Sequence, residues 1–451
     1  MKLAFYGAAK MVSGSNFLLE DEGVRILVDC GLKQCPRYCE IENFGEFPYD
    51  PATIDAILIT HAHVDHIGRV PRLYKHGFRG RILSTEPTKE FAYHMLTDSM
   101  RILSREADEL EVDHMYEESD VKGVVSLWEG VRYHEKMDVS GLSVEFYDAG
   151  HILGSSFIVV TSKEGKKIVF SGDLGNSPAP LIHPLESPGQ VDYAVLESTY
   201  GGRVHEDIDT RRGLLEDVVE STVKSGGVLM IPAFALERTQ ELLFELNELV
   251  ENGRIPRTPV FIDSPLAIKL TEIYRKYSKN NKYFNKNAVD LGGADNIFDF
   301  SGLKLVLETK ESKAIADTPA PKIIIAGAGM SNGGRIQHHE KRYLSDPKNT
   351  ILFIGYQAQG SLGRSILEGA TTVSIHGEDI PVKARVEAIG AYSAHADQPA
   401  LIDWLRPTHR NLKKVFLVHG EEDQMEALAA KIRDDLAVET IIPSQGDEVI
   451  L

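Results

Sequence analysis

Short apolar or alternating runs bounded by turn residues fill the first third of the chain. They cover Leu3–Gly7, Asn16–Glu20, Val24–Cys30 and Ala56–Thr60, then Leu142–Ala149, Ser155–Ser162, Lys167–Gly172 and Tyr193–Glu197. Runs of this length with a period near two predict strands. Between the two groups, Glu86–Leu103 has helical spacing, with Phe91, Met95 and Ile102 among its apolar positions. After Tyr200-Gly201-Gly202 the period changes. Arg211–Val223 and Glu237–Val250 read as helices that alternate with strands Val228–Pro232, Val260–Ile262, Lys322–Ala326 and Thr350–Ile354. That alternation predicts a parallel α/β sheet. Thr371–Ile389 returns to β patterning. A strand over Lys414–Val418, a helix over Glu422–Leu436 and a last strand near Thr440–Pro443 close the chain. The pattern predicts an α/β module over 205–385, inserted into a first domain that spans 1–204 and resumes over 386–451.

A chain of 451 residues is long enough for two or three domains and for cores that need no disulfide staples. Its three cysteines, Cys30, Cys35 and Cys39, are an odd cluster in C-x4-C-x3-C spacing. That spacing suits neither an oxidised secreted framework nor a common zinc site, and they are read as loop thiols. One lysine precedes a short apolar run that Gly7 interrupts, so no secretory leader is expected. No run is long enough to span a bilayer, and the expected location is cytoplasmic. A net charge of −18 excludes a broad basic surface for non-specific polyanion binding. A nucleic-acid substrate would need a locally positive cleft on this acidic body.

The densest chemistry lies at Thr60-His61-Ala62-His63-Val64-Asp65-His66, directly after the apolar run Ala56–Ile59. Three imidazoles and a carboxylate within six residues, at the end of a buried strand, form a borderline-to-hard ligand set suited to zinc. The bland alternative, a solvated turn with chance histidines, does not account for spacing as restrictive as H-x-H-x-D-H.

This motif resembles that of the metallo-β-lactamase superfamily, in which it binds two metals. The resemblance demands three further residues, each after a strand, and the chain has them in order. Asp29 lies in Val28-Asp29-Cys30-Gly31, His151 in Ala149-Gly150-His151-Ile152-Leu153-Gly154-Ser155, and Asp173 in Ser171-Gly172-Asp173-Leu174-Gly175. It implies one metal on His61, His63 and His151, and a second on Asp65 and His66. Asp173 would bridge them, Asp29 would orient a ligand from behind, and Asp65 would help take a proton from water. Glu197 in Leu196-Glu197-Ser198-Thr199-Tyr200-Gly201, His395 in Tyr392-Ser393-Ala394-His395-Ala396-Asp397, and His419 in Val418-His419-Gly420 look like the three signature motifs of the β-CASP group. That group is the nucleic-acid-processing branch and includes the pre-mRNA 3′-end cleavage endonuclease and bacterial RNase J. The resemblance covers essentially the whole chain.

The fold implied by this resemblance is an αββα metallo-β-lactamase sandwich in two chain segments with an inserted α/β β-CASP domain. Also implied is zinc, two per chain, with manganese acceptable to the same ligands. His419 would complete the second metal's shell, and a histidine at that motif marks the RNA-acting members. His395 would act as general acid for the leaving 3′-oxygen, held by Glu197. The implied activity is hydrolysis of single-stranded RNA, endonucleolytic or from a 5′ end. A small-ester hydrolase, a DNA nuclease of the same fold and a non-catalytic RNA-processing subunit are the rival readings. A homodimer stays open, and no membrane partner is expected.

Two glycine-rich segments carry the remaining candidates. Ile323–Ala326 runs into Gly327-Ala328-Gly329-Met330-Ser331-Asn332-Gly333-Gly334-Arg335, a strand, a turn and a helix start that predict a phosphate cradle. Its spacing is not that of a dinucleotide site, and no acid ends the next strand. Ser331 and Arg335 are the expected phosphate contacts. Arg364 in Gln359-Gly360-Ser361-Leu362-Gly363-Arg364 and Ser155 are further candidates.

Overall fold

A computed structural model describes residues 1–34, 40–206, 210–279, 281–292 and 297–451. Cys35 and Cys39 lie outside the described residues. Contacts divide the chain into two compact units, Met1–Val204 with His395–Leu451, and His205–Ala394.

The first unit holds two seven-stranded sheets. From edge to edge, one runs Glu448–Ile450, Lys2–Phe5, Phe17–Asp21, Val24–Val28, Ala56–Leu58, Arg81–Thr85 and Trp128–Val131. The other runs Glu439–Ile441, Lys414–Val418, Tyr193–Glu197, Lys167–Phe170, Ser156–Thr161, Leu142–Asp148 and Met137–Val139. Alternate side chains of both sheets meet in one core that includes Phe5, Phe17, Val28, Leu58, Phe146, Phe170, Val195 and Phe416. The Phe5 and Phe416 rings are 5.3 Å apart between centroids, close enough for an aromatic pair to add to the area buried. The opposite face of the second sheet (Phe157, Val169, Leu196, Leu417) packs under helices Gln398–Leu405 and Glu422–Leu436. The helix Glu86–Leu110 packs against Arg81–Thr85 and Trp128–Val131 of the first. The layers are therefore helix, sheet, sheet, helix, the αββα order that the resemblance implied. The long helix runs further than its expected end at Leu103. Its inner face uses Phe91, Met95 and Leu103, while Ile102 is exposed.

The sequence pattern did not give every element: among the strands of this unit it missed Arg81–Thr85, Trp128–Val131, Met137–Val139 and Glu448–Ile450, the last of which pairs antiparallel with Lys2–Phe5.

The second unit is built on a six-stranded, wholly parallel sheet. Its order is Leu303–Leu305, Val260–Asp263, Lys322–Ala326, Val228–Pro232, Thr350–Phe353 and Arg385–Ala388. Its central strands are buried along their whole length, as expected when both faces are covered. The sequence reading ended this module at 385, but contacts carry it to Ala394. Arg385–Ala388 is the sheet's edge strand, paired with Thr350–Phe353, and Thr372–Ile375 with Glu378–Pro381 is a separate hairpin. Among the described residues no helix is long and apolar enough to cross a membrane.

Candidate metal centre

The first unit gathers its motif residues because its strands point them the same way. Val24–Val28 and Ala56–Leu58 are parallel neighbours, as are Lys167–Phe170, Tyr193–Glu197 and Lys414–Val418. Asp29, the His61–His66 loop, Asp173, Glu197 and His419 all lie at or just past the carboxyl ends of these strands. Leu142–Asp148 is two antiparallel pairings away from Lys167–Phe170 and so runs in the same direction, which brings His151 to the same edge. Close backbone approach locks these loops together. A Cβ on Gly31 would stand 1.6 Å from the Asp65 carbonyl oxygen, and one on Gly175 would stand 1.7 Å from that of Gly150. Asp29 and His419 have left-handed backbones, φ +59° and +51°. Such strain persists only where the surroundings over-determine it, and it is common at functional sites.

Among the described residues three groups of ligand atoms result: His61, His63, His151 and Asp173; Asp65, His66 and His419; and Asp173 with Glu197 and His395. In the first, His63 Nδ1 is 3.0 Å from His61 Nε2 and 3.3 Å from His151 Nε2. Asp173 Oδ2 stands 3.4 and 3.6 Å from the same two Nε2 atoms. In the second, His66 Nε2 and His419 Nε2 are 3.2 Å apart, with Asp65 Oδ2 3.3 Å from the latter. Asp173 Oδ1 faces both nitrogens, at 3.3 and 3.6 Å. A tetrahedron with bonds of about 2.0–2.2 Å has edges of about 3.3–3.6 Å. The donors are thus spaced as a cation would need them, and Asp173 turns one oxygen to each cluster. Its buried Oδ1 accepts no well-formed hydrogen bond. A buried carboxylate oxygen in that state is costly unless a cation takes it. These residues fit a metal.

Electrostatics separate the two clusters. Burial, with neighbouring imidazoles, holds His61 well below the ordinary histidine range, and burial brings His63 down to about 4. Both are therefore neutral and able to ligate. Burial opposes charge on His66 too, but Asp173, Asp29 and Asp65 outweigh it and hold that group well above its ordinary value. Burial would raise Asp173, yet His419, His66 and His61 drive it well below the usual carboxylate range.

Asp29 does not enter either cluster. Its Oδ1 accepts from the Thr60 amide (2.9 Å), and its Oδ2 accepts from the Thr60 hydroxyl and lies against His66 Nδ1, each at 2.8 Å. Thr60 Oγ1 is also 3.1 Å from His61 Nδ1. On the other side, Thr199 Oγ1 stands 3.2 Å from His419 Nδ1. The sequence reading quoted both threonines within motifs and gave neither a role. A hydroxyl next to a motif histidine or acid was the available signal.

His395 and Glu197 meet beside Asp173. His395 Nδ1 is 3.2 Å from each Glu197 oxygen and 3.9 Å from Asp173 Oδ2. Glu197 is fully buried and is itself fixed by the amides of Leu174 (2.7 Å) and Thr199 (3.3 Å). Burial alone would lower His395, but Glu197 and Asp173 raise it above the ordinary value.

The expected phosphate contacts fare differently. Ser155 is buried, and its oxygen accepts from the amides of His151 and Ile152, which shapes the ligand loop. In the second unit Ser331 is fully buried and donates to Glu340. Arg335 donates to Asp263 Oδ1 (2.7 Å) and to the carbonyls of Val306 and Leu307. Arg364 pairs with Glu368 at 2.6 Å. Neither serine hydroxyl has surface to offer a phosphate, Arg335 is turned to a buried acid, and Arg364 makes an exposed ion pair with Glu368. The glycine-rich turn also uses its own amides, Ala328 N to Gly333 O and Ile336 N to Gly327 O. Cys30 is buried, with its thiol pushed up to about 12 by that burial, which makes it an inert packing group.

Comparison with known proteins gives three family matches along the chain. Residues 18–177 match a metallo-β-lactamase superfamily domain, 239–366 a Beta-Casp domain, and 379–443 a Zn-dependent metallo-hydrolase RNA specificity domain. The chain is 38% identical to ribonuclease TTHA0252 of Thermus thermophilus over 431 residues, 95% of each chain. It is 31% identical to an RNase J-like protein of Methanocaldococcus jannaschii, covering 98% of both. It is 29% identical to the transcription termination factor FttA of Methanosarcina mazei, over 98% of this chain and 70% of that one.

Proposed function

This chain belongs to the β-CASP branch of the metallo-β-lactamase superfamily, and we propose that it is a two-metal ribonuclease that hydrolyses phosphodiester bonds of single-stranded RNA. The observation that carries this reading is the meeting of two carboxylate-bridged ligand clusters with a carboxylate-held histidine, His395 on Glu197. A hydrolase of small esters has no need of that third element. The relatives named as ribonucleases support RNA as the substrate.

His61, His63 and His151 with Asp173 Oδ2 would hold one cation, and Asp65, His66 and His419 with Asp173 Oδ1 the other. Zinc suits this set and manganese would be accepted. Two such cations supply Lewis-acid activation of water and charge neutralisation for an in-line displacement at phosphorus. Asp65, the least buried member of its cluster, is placed to receive the proton that water gives up. With Nδ1 held by Glu197, His395 presents Nε2 as the nitrogen that hands a proton to the leaving 3′-oxygen. Glu197 fixes that ring orientation and favours its protonated form. Because water, not the 2′-hydroxyl, attacks, the products carry 5′-phosphate and 3′-hydroxyl ends.

The test is a denaturing gel of end-labelled and internally labelled single-stranded RNA with a matched DNA strand. Zinc-loaded protein should cut the RNA, His395→Ala should not, and the ladder separates internal from terminal attack. Metal-replete protein that leaves RNA intact overturns the proposal.

A further inference from the structure

We propose that Thr199 is a positioning residue that fixes the tautomer of His419, so that Nε2 carries a lone pair toward the metal centre. The inference rests on the reading of His419 as a ligand and names the device that makes it one. Glu197 and Val418 are register partners on adjacent parallel strands, so Thr199 and His419 lie just past the ends of the same pair. Both are nearly fully buried. The Thr199 hydroxyl is 3.2 Å from His419 Nδ1 and also 3.2 Å from the His419 carbonyl oxygen.

A hydroxyl has one proton and two lone pairs. The carbonyl can only accept, so with the Thr199 proton given there the oxygen is left to accept from Nδ1–H. In the metal-binding form of His419, with Nε2 given to a cation, the ring's one proton sits on Nδ1. Nε2 is the bare nitrogen, and it faces His66 Nε2, Asp65 Oδ2 and Asp173 Oδ1. In the other tautomer, Nε2–H would occupy the space where a cation must sit. Thr60 shows the same arrangement in the other cluster, with its proton given to Asp29 and its oxygen 3.1 Å from His61 Nδ1. The left-handed backbone of His419 has other supports, since its amide donates to Ala8 and its carbonyl accepts from Ser198. Loss of the Thr199 hydroxyl therefore leaves the loop in place and frees only the ring.

The experiment titrates zinc into metal-free wild type, Thr199→Val, Thr199→Ser and His419→Ala against a chelating competitor. Thr199→Val should weaken one of two zinc equivalents by about 10–100-fold, as loss of an outer-sphere partner does. The other equivalent should be unchanged, and Thr199→Ser should restore the wild-type value. Melting of the metal-free proteins checks that the variants fold. Wild-type affinity for both equivalents in Thr199→Val, or equal weakness in Thr199→Val and Thr199→Ser, overturns the proposal. Two tight equivalents retained by His419→Ala would instead remove the ligand reading on which it rests, and the proposal with it.

Discussion

The loops at the strand ends of the first unit and the glycine-rich turn of the second were both singled out by motif, yet they dispose their polar side chains in opposite ways. In the first unit, histidine nitrogens and Asp173 oxygens crowd within 3.0–3.9 Å of one another, and Asp173 Oδ1 is left without a hydrogen-bond partner. In the second, Ser331 is closed onto Glu340, and Arg335 onto Asp263, which also takes His339 (2.7 Å) and Ser312 (2.6 Å). Buried ligand atoms this close, with a carboxylate oxygen unpartnered, suit a cation. Buried donors paired to internal acids hold a loop in shape, although Glu340 Oε2 is left without a partner. Substitutions in the first region should therefore change chemistry and metal content, and those in the second should change stability.

The largest effect is expected at His395. His395→Ala should lower kcat by about 10²–10⁴-fold, the usual contribution of a general acid, with both metals retained by elemental analysis. A loss of metal with it would move His395 from proton donor to ligand.

Next comes a pH effect in the second unit. Burial pushes the Glu340 carboxyl from its ordinary 4.5 up to about 7. The folded state then binds more protons than the unfolded state between about pH 4.5 and 7, so stability falls as pH rises through that window. At about 1.4 kcal/mol per pH unit the rise is worth at most about 3.5 kcal/mol. Glu340→Gln should flatten the corresponding stretch of a denaturation-against-pH profile; an unchanged slope would place the carboxyl in water.

Smaller again is Asp29→Ala. It should cost about 10–100-fold in metal affinity or activity because His66 and Thr60 lose their anchor, without abolishing either. Complete loss of metal would make Asp29 a ligand itself. Arg335→Ala sits at the bottom, at about 1 kcal/mol of stability, since Asp263 keeps two other donors. Its RNA affinity should match wild type, and a weakened binding constant would return the arginine to the substrate.

The contrast also marks what the sequence could express. Spacing and strand context singled out His61, His63, Asp65, His66, His151, Asp173 and His419, which the structure brings into two clusters. A ligand motif is local, and parallel strands carry local motifs to one edge. Thr60 and Thr199 escaped notice because a hydroxyl's role depends on which ring faces it, and that is decided across sheets. Ser331 and Arg335 were expected at a phosphate, but a glycine-rich turn reads alike whether its polar residues face outward or close inward. The buried acids that claim them, Glu340 and Asp263, stand nine and seventy-two residues away. The boundary drawn at 385/386 cuts through the strand Arg385–Ala388, because an edge strand's sequence does not say which sheet it joins.

Titration of zinc into metal-free protein, with single-turnover RNA cleavage read at each step, tests the central claim most directly. Cleavage should rise only as the second equivalent per chain binds, since both clusters share Asp173 and act together. Full cleavage at one equivalent would contradict a two-metal centre.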